Sequence, residues 1–511
     1  MKKIILLLFV ILTIGSCRSM DDINTNPDTP STVTPAFLAT DAILAITKSE
    51  SSKWLFGDEY IVKTTMMTEH MEWYMYNKFE RLDAYYDNFI PYSYYSYLIN
   101  MKKMVEIANA NESMSEGIKH AYTALSDFMQ AYIFYGLTME VGDIPCSEAL
   151  QGEDSGILSP KYDTQEEVFN AVLKKLRESS ELFSNASTFN GDPIYNGDPA
   201  KWQKMVNTFT LRVLNMISKK QAVGDINVQS MFEEFANKPL MTSEADSFMR
   251  TYSASKSAQW YPFYYLNQNY WMYPVMTSFF INKMKELNDR RIFYYCEPAT
   301  ALTAKEDSYD AYSGVDCTMT FGKIQQEYTE GLHSSINKRY FRLAQGEPIK
   351  FIAYSELQFI LAEAALRGWK TPLTAKEHYD KGIRAAMMFT TNNTPEEYRH
   401  GVTINDDYID DYLAGPAAFD ANKGLEQIMT QKLIGSYVQL RYNSYFDYRR
   451  TGYPVLPINT ETNMNEVTTQ LPLRWMYPED EYSQNKDNIQ SAIQSQYSGE
   501  DTPNNVMWLL K

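Results

Sequence analysis

The residues in this chain best suited to chemistry are aromatic rings set among amides. The densest run is Gln259-Trp260-Tyr261-Pro262-Phe263-Tyr264-Tyr265, continued through Asn267-Gln268-Asn269-Tyr270-Trp271-Met272-Tyr273-Pro274. Flat rings stack on the C–H faces of sugars, while amides hydrogen-bond sugar hydroxyls or the backbone of a peptide. The run lies in a stretch without helical period, where so many large rings cannot all be core. Candidate ligand contacts there are Trp260, Tyr264, Tyr270 and Trp271, with Asn267 and Asn269 as polar partners. A second run, Trp73-Tyr74-Met75-Tyr76, stands near Tyr85-Tyr86 and Asn88. Trp73, Tyr74 and Tyr76 join the candidates, although their apparent helical spacing also fits core packing. Tyr92, Tyr94, Tyr95 and Tyr97 read as packing between helices for the same reason.

Cys17 offers covalent chemistry. Lys2 and Lys3 precede an apolar run from Ile4 to Ile14, about eleven residues and too short for a ~30 Å bilayer core. The run closes on Gly15-Ser16-Cys17, small residues before a thiol, as a lipoprotein signal peptidase requires. Residues 1–16 are therefore expected to be a signal peptide and Cys17 to carry lipid, whose several acyl chains anchor stably. Asp21-Asp22 resembles the export signal of surface-displayed lipoproteins, and a short acidic linker would look the same. Residues 17–35 read as a flexible tether, rich in Asn, Thr, Ser and Pro from Asn24 onward.

Catalytic signatures do not emerge. His70, His120, His333, His378 and His400 are scattered, with no HExxH pattern, nucleophile elbow or phosphate-binding loop. A catalytic carboxylate pair drawn from so acidic a chain would be arbitrary. No cofactor is expected, and no CxxC suggests zinc. Asp406-Asp407 with Asp410-Asp411 offers a calcium-like cluster, for which solvated surface acids are the simpler account. Cys146, Cys296 and Cys317 are odd in number, so at least one thiol stays free; pairing of Cys296 with Cys317 is left open. The net charge is −17, and no basic block offsets it, which argues against nucleic acid as a partner.

The elements that must position these residues are mostly helical. Thr164-Gln165-Glu166-Glu167 is a capping box ahead of Val168, Val172, Leu176, Leu182 and Phe183. Asp198-Pro199 is an N-cap and first-turn proline ahead of Trp202, Met205, Val206, Phe209, Val213 and Ile217. A stripe from Tyr354 to Ala365 ends at Gly368, and Thr374-Ala375-Lys376-Glu377 caps the next helix. Together these span about 35 residues, the length of one tetratricopeptide-type hairpin. Ala364, Ala365, Gly382, Ala385 and Ala386 would let the two approach closely. Leu425 to Leu440 makes a further long stripe, and amphipathic stretches cover residues 59–76, 93–108, 118–138 and 276–288. Segments 142–162, 239–274, 297–344 and 452–511 lack a period. The expectation is a mainly α protein of stacked hairpins carrying an irregular, loop-rich lobe, with residues 36–511 forming one domain.

Gly142-Asp143-Ile144-Pro145 with Ser147-Glu148-Ala149, Gly197-Asp198-Pro199-Ala200-Lys201-Trp202, and Tyr354-Ser355-Glu356 through Gly368 resemble the SusD/RagB family. So do Gln431-Lys432 through Asp447-Tyr448-Arg449-Arg450-Thr451-Gly452-Tyr453-Pro454, and Leu473-Arg474-Trp475-Met476-Tyr477-Pro478 with Glu481 and Asn485. The branch carrying the Arg-Arg-Thr-Gly-Tyr-Pro run is the most similar. The resemblance implies about four tetratricopeptide-like hairpins and a non-helical lobe that contacts ligand. It further implies a surface-facing outer-membrane lipoprotein that delivers a nutrient oligomer to a SusC-type TonB-dependent transporter; the lack of catalytic signatures adds the expectation that it is not an enzyme. A glycan is the expected ligand and an oligopeptide the runner-up; a lipid-anchored glycan hydrolase is the alternative of another class. The recurring family motifs are scaffold-like, so Asp447, Arg449 and Arg450 are expected to form a structural ion-pair cluster.

Overall fold

The computed structural model describes residues 33–47, 64–73, 92, 94–265 and 274–511. Its scaffold is a run of helices in which chain neighbours pack side by side. These are α1 (Pro35–Ile46), α2 (Tyr94–Ala110), α3 (Glu116–Val141), α4 (Gln165–Ser184), α5 (Pro199–Met216) and α6 (Val228–Ala236). After the lobe, which includes α7 (Ser278–Glu286), the scaffold resumes with α8 (Tyr354–Leu366) and α9 (Ala375–Asn392). It ends with α10 (Asp406–Ala414), α11 (Gly424–Gly435), α12 (Asn443–Thr451) and α13 (Lys486–Tyr497). The pairs α2/α3, α4/α5, α8/α9 and α11/α12 form tetratricopeptide-like hairpins, and α5 packs on α8 although the lobe separates them in sequence. The mainly α architecture expected from the sequence is the one observed.

Both capping boxes form. The Thr164 and Thr374 side chains accept from the N–H groups of Glu167 and Glu377, whose carboxylates reach back to the cap residues. Asp198 caps α5 by accepting from Ala200 and Lys201. Trp202 is fully buried at the centre of an aromatic cluster, stacked on Phe183 at 5.7 Å and edge-on to Phe128 and Tyr195. Its indole N–H donates to Asp192 Oδ2 at 2.8 Å, so the polar edge is satisfied inside the core. Gly382 permits the close approach of α9 to α8: a Cβ there would stand 2.7 Å from the Phe359 ring.

Sheet is confined, among the described residues, to three two-stranded antiparallel ladders. The strands are β1 (Met71–Trp73), β2 (Ala222–Val223), β3 (Ile226–Asn227), β4 (Phe248–Arg250), β5 (Pro274–Met276) and β6 (Ile349–Ile352), paired β1–β5, β2–β3 and β4–β6.

Two helical expectations need correction. Among the described residues of 59–76, the helix is confined to Thr64–Met67; Glu69 then takes φ 57° and the chain becomes β1. The turn sends His70 into the core, where Thr277 locks it by donating to the His70 carbonyl at 3.2 Å. Likewise the stripe from Leu425 to Leu440 is not one helix. It breaks after Gly435, and Val438, Leu440 and Arg441 adopt positive φ as the Leu440 N–H bonds the β6 carbonyl of Lys350 at 3.1 Å. The apolar residues beyond the break are buried, but by a turn rather than by a helix face. Phe321–Thr329 and α13 are helices of nine and twelve residues that lie in segments read as aperiodic, beside shorter helical turns such as Arg339–Arg342 and Glu481–Gln484.

Candidate ligand-binding site

The family motifs resolve into scaffold chemistry. Arg212 on α5 makes a bidentate pair with Glu356 on α8, and Asn443 on α12 donates to the same carboxylate at 3.0 Å. Two helix turns on, Glu363 receives both Nη atoms of Arg450, the Arg367 guanidinium and the Asn215 amide. Arg450 also donates to Asp447 at 2.8 Å, and Asp447 pairs with Lys432. Burial alone would raise the Glu363 carboxyl, but Arg450 and Arg367 hold it down at about 2. Arg449 donates to the carbonyls of Leu473 at 2.6 Å and Met139 at 2.8 Å, tying α12 to α3 and to the C-terminal segment. Asp447 and Arg450 thus form the structural ion-pair cluster expected of them, and Arg449 serves the scaffold through backbone carbonyls. Asp143 of the Gly-Asp-Ile-Pro motif accepts the Gln165 N–H at 2.7 Å at the start of α4, and burial pushes its carboxyl up to about 7.

The aromatic runs are treated differently by the fold. Along Gln259–Tyr265 the rings divide. Tyr261 and Phe263 point inward and are fully buried, while Trp260 and Tyr264 are half-buried. Tyr261 is held by its N–H, which donates to the Ala344 carbonyl at 2.7 Å, and by Gly346, whose φ of 55° brings its backbone onto the ring. A Cβ at Gly346 would lie 2.1 Å from the Tyr261 ring, so only glycine closes this contact. Trp260 and Tyr264, four residues apart around the short helical turn Pro262–Tyr265, meet edge to face at 5.1 Å. The Trp260 indole N–H donates to the Ala254 carbonyl at 3.3 Å, which fixes the ring at the outer face.

Of the other candidates, Trp73 is placed by its backbone at the end of β1. Tyr74, Tyr76, Asn267, Asn269, Tyr270 and Trp271 lie outside the described residues, as do Cys17, Tyr85, Tyr86 and Asn88. The β1–β5 register nevertheless relates the two runs. Met71 pairs with Met276, Glu72 with Val275 and Trp73 with Pro274. The chain leaves β1 after Trp73 into one aromatic run and enters β5 at Pro274 from the other. Runs about 200 residues apart in sequence therefore issue from the same end of one ladder. Nothing in local sequence signals this pairing, because three-residue strands carry no readable period.

The ladder is anchored from both sides. On one, the carbonyls of Met276 and Ser334 are joined to Val315 and Met276 N–H groups, each at 2.8 Å. On the other, His70 Nε2 lies 3.0 Å from the Leu433 carbonyl, and its Nδ1 lies 2.7 Å from the Thr68 hydroxyl. Its ring edge meets Phe280 at 4.6 Å. Burial lowers the His70 pKa to about 4, so near neutral pH the ring is uncharged and its Nε2–H donates to Leu433.

The remaining candidates resolve simply. Cys296 and Cys317 are both buried and form no disulfide with each other, and Cys146 is half-buried. Asp406 and Asp410 both receive the Arg384 guanidinium. Tyr95 packs on Phe134 and donates to the Pro145 carbonyl at 2.6 Å, in keeping with a packing role. No described helix is long and apolar enough to cross a membrane.

Comparison with known proteins places this geometry. The family model described as SusD-like, starch-binding associating with outer membrane, matches residues 27–478. A SusD homologue from Bacteroides fragilis is 38% identical with a TM-score of 0.86, over 94% of this chain and 100% of that one. A second B. fragilis SusD homologue is 31% identical with a TM-score of 0.80 over the same shares. An outer-membrane protein of Bacteroides vulgatus named for nutrient binding is 27% identical, with a TM-score of 0.80 and again 94% and 100% coverage. No curated protein sequence matches the chain. With its fold, its buried motif network and these matches in agreement, the chain belongs to the SusD-like family of nutrient-binding proteins associated with the outer membrane.

Proposed function

We propose that this protein is held by lipid on Cys17 at the outer face of the outer membrane, binds a glycan there, and hands it to a partner TonB-dependent transporter of the SusC type. It acts by binding, without turnover. Two observations support the ligand reading: both aromatic runs issue from the same end of the β1–β5 ladder, and Trp260 and Tyr264 pair as half-buried rings in one of those runs. Each ring of such a pair keeps a face on which a sugar can stack, and the Asn-rich sequence that follows offers amides for its hydroxyls.

Isothermal titration with maltoheptaose, chitohexaose, xylohexaose and a peptide digest tests this. At least one oligosaccharide should bind, and Trp260→Ala with Tyr264→Ala should weaken it by about tenfold or more, as two ring contacts of ~0.5–1.5 kcal/mol imply. Affinity unchanged in that double variant removes the assignment of these rings. Binding confined to the digest selects the peptide reading, and release of shortened sugar from any oligosaccharide removes the binding-only role.

A further inference from the structure

The scaffold contains an open cavity of about 380 Å³ far in sequence from the aromatic runs. It lies where the ends of α5, α8, α11 and α12 meet, and its wall is Ser218, Lys219, Glu363, Leu366, Arg367, Leu425, Arg450 and Thr451. Three cations stand there against one carboxylate, in a chain whose net charge is −17. Behind the wall the balance does not change, since Asp447 is already matched by Lys432. Glu363 is shared between Arg450 and Arg367, so neither guanidinium has a carboxylate to itself except where Arg450 also reaches Asp447.

The donors there are incompletely used. Arg450, with its side chain 4% exposed, has no hydrogen-bond partner for Nε among the described residues. Arg367 reaches Asn215 only at 3.4 Å with each Nη, and the Lys219 ammonium reaches one carbonyl, that of Leu510, at 3.4 Å. Burial and the neighbouring Arg450 lower the Arg367 pKa despite the pull of Glu363, the response of a cation short of negative charge.

Helix ends supply part of the field. The carboxyl ends of α5, α8 and α12 favour cations. Those of α8 and α12 are closed by their own chain: Gly368 and Trp369 N–H groups bond Ala365 and Ala364 carbonyls at 3.0 Å, and Gly452 bonds Tyr448 at 2.8 Å. The amino end of the twelve-residue α11, which brings Leu425 to the wall, has no side-chain cap. The cavity volume falls within the ~300–1,000 Å³ of small-molecule sites.

We propose that this cavity binds a small oxyanion, a carboxylate or sulfate on a ligand no larger than a monosaccharide acid. Arg367, Lys219 and the free Nε–H of Arg450 meet the anion, and the Ser218 hydroxyl supplies a further donor. The source of the anion is either the uronate unit of an acidic glycan or a free inorganic ion.

Titration of the purified protein with D-galacturonate, with sodium sulfate and, as uncharged control, with D-galactose tests this at fixed ionic strength. One of the charged probes should bind saturably and galactose should not. Tighter galacturonate identifies the uronate source, and tighter sulfate the inorganic one. Lys219→Ala changes an exposed side chain and should weaken the bound probe about threefold; adding Arg367→Gln should bring the loss to about tenfold or more. Trp260→Ala with Tyr264→Ala should leave this binding intact, which separates it from the aromatic site. Absence of saturable binding by either anion, equal binding of galactose, or affinity unchanged by Lys219→Ala with Arg367→Gln each overturns the proposal.

Discussion

Asp143 shows how one buried acid sets a pH dependence. It is 3% exposed, and burial raises its carboxyl to about 7 although the Gln165 N–H opposes the shift. The folded state therefore holds a proton that the unfolded chain, with an ordinary aspartate pKa of ~3.9, releases. Stability from this group is fully present below about pH 4 and is lost as pH rises through 7, at up to ~1.4 kcal/mol per pH unit. Asn keeps the acceptor for Gln165 and removes the titration. Urea unfolding at pH 5 and pH 7.5 should show wild type losing stability relative to Asp143→Asn, by on the order of 2 kcal/mol. Parallel curves for the two proteins would refute the protonated carboxyl. His70 works in the opposite sense: its lowered pKa costs stability as pH falls below its ordinary value of 6.5, equally in both proteins, so the comparison cancels it.

At the scale of elements, the buried carboxylates act as joints between helices. Glu363 on α8 is the meeting point for Arg450 of α12, Asn215 of α5 and Arg367 of its own helix. Glu363→Gln leaves cations buried without a counter-charge and should cost ~3–5 kcal/mol by thermal or urea unfolding. A loss near zero would show the network to be replaceable. These joints were legible because the motif residues themselves carry the charges, and the capping boxes at Thr164 and Thr374 because their signal spans only four residues. The β1–β5 ladder was not legible. Its strands are three residues long, its partners lie about 200 residues apart, and Trp73 falls in a stretch whose apolar spacing imitates a helix. The break after Gly435 was hidden similarly, since Tyr437 and Val438 are buried whether by a helix or by a turn. Within the aromatic loop, composition marked Trp260 and Tyr264 but could not tell them from the buried Tyr261, because Gly346, which selects the inward ring, lies 85 residues later. The anion cavity also escaped notice, its residues coming from four helices with no shared motif.

For the whole molecule, the decisive question is whether scaffold and lobe fold as one body. We propose that residues 36–511 unfold as a single cooperative unit. The main cluster of buried apolar side chains runs from Ala39 in α1 through Phe263, Phe280 and Tyr312 in the lobe to Leu509, and the lobe adds only a small separate cluster of Val275, Val315 and Ile324. The ladder strands of the lobe are bonded into the scaffold rather than beside it: β6 accepts from Leu440, and His70 beside β1 meets the α11 carbonyl of Leu433. A lobe with its own core would instead be joined through a polar, weakly packed seam and would melt separately. Differential scanning calorimetry should therefore give one transition with equal calorimetric and van't Hoff enthalpies. Gly346→Ala, which drives a methyl into the Tyr261 ring in the lobe, and Glu363→Gln in the scaffold should each lower that one midpoint. Two resolved transitions, with each variant moving only one, would make the lobe an independent domain. A single body fixes the aromatic ladder end relative to the helices, so that ligand position and scaffold orientation are set together.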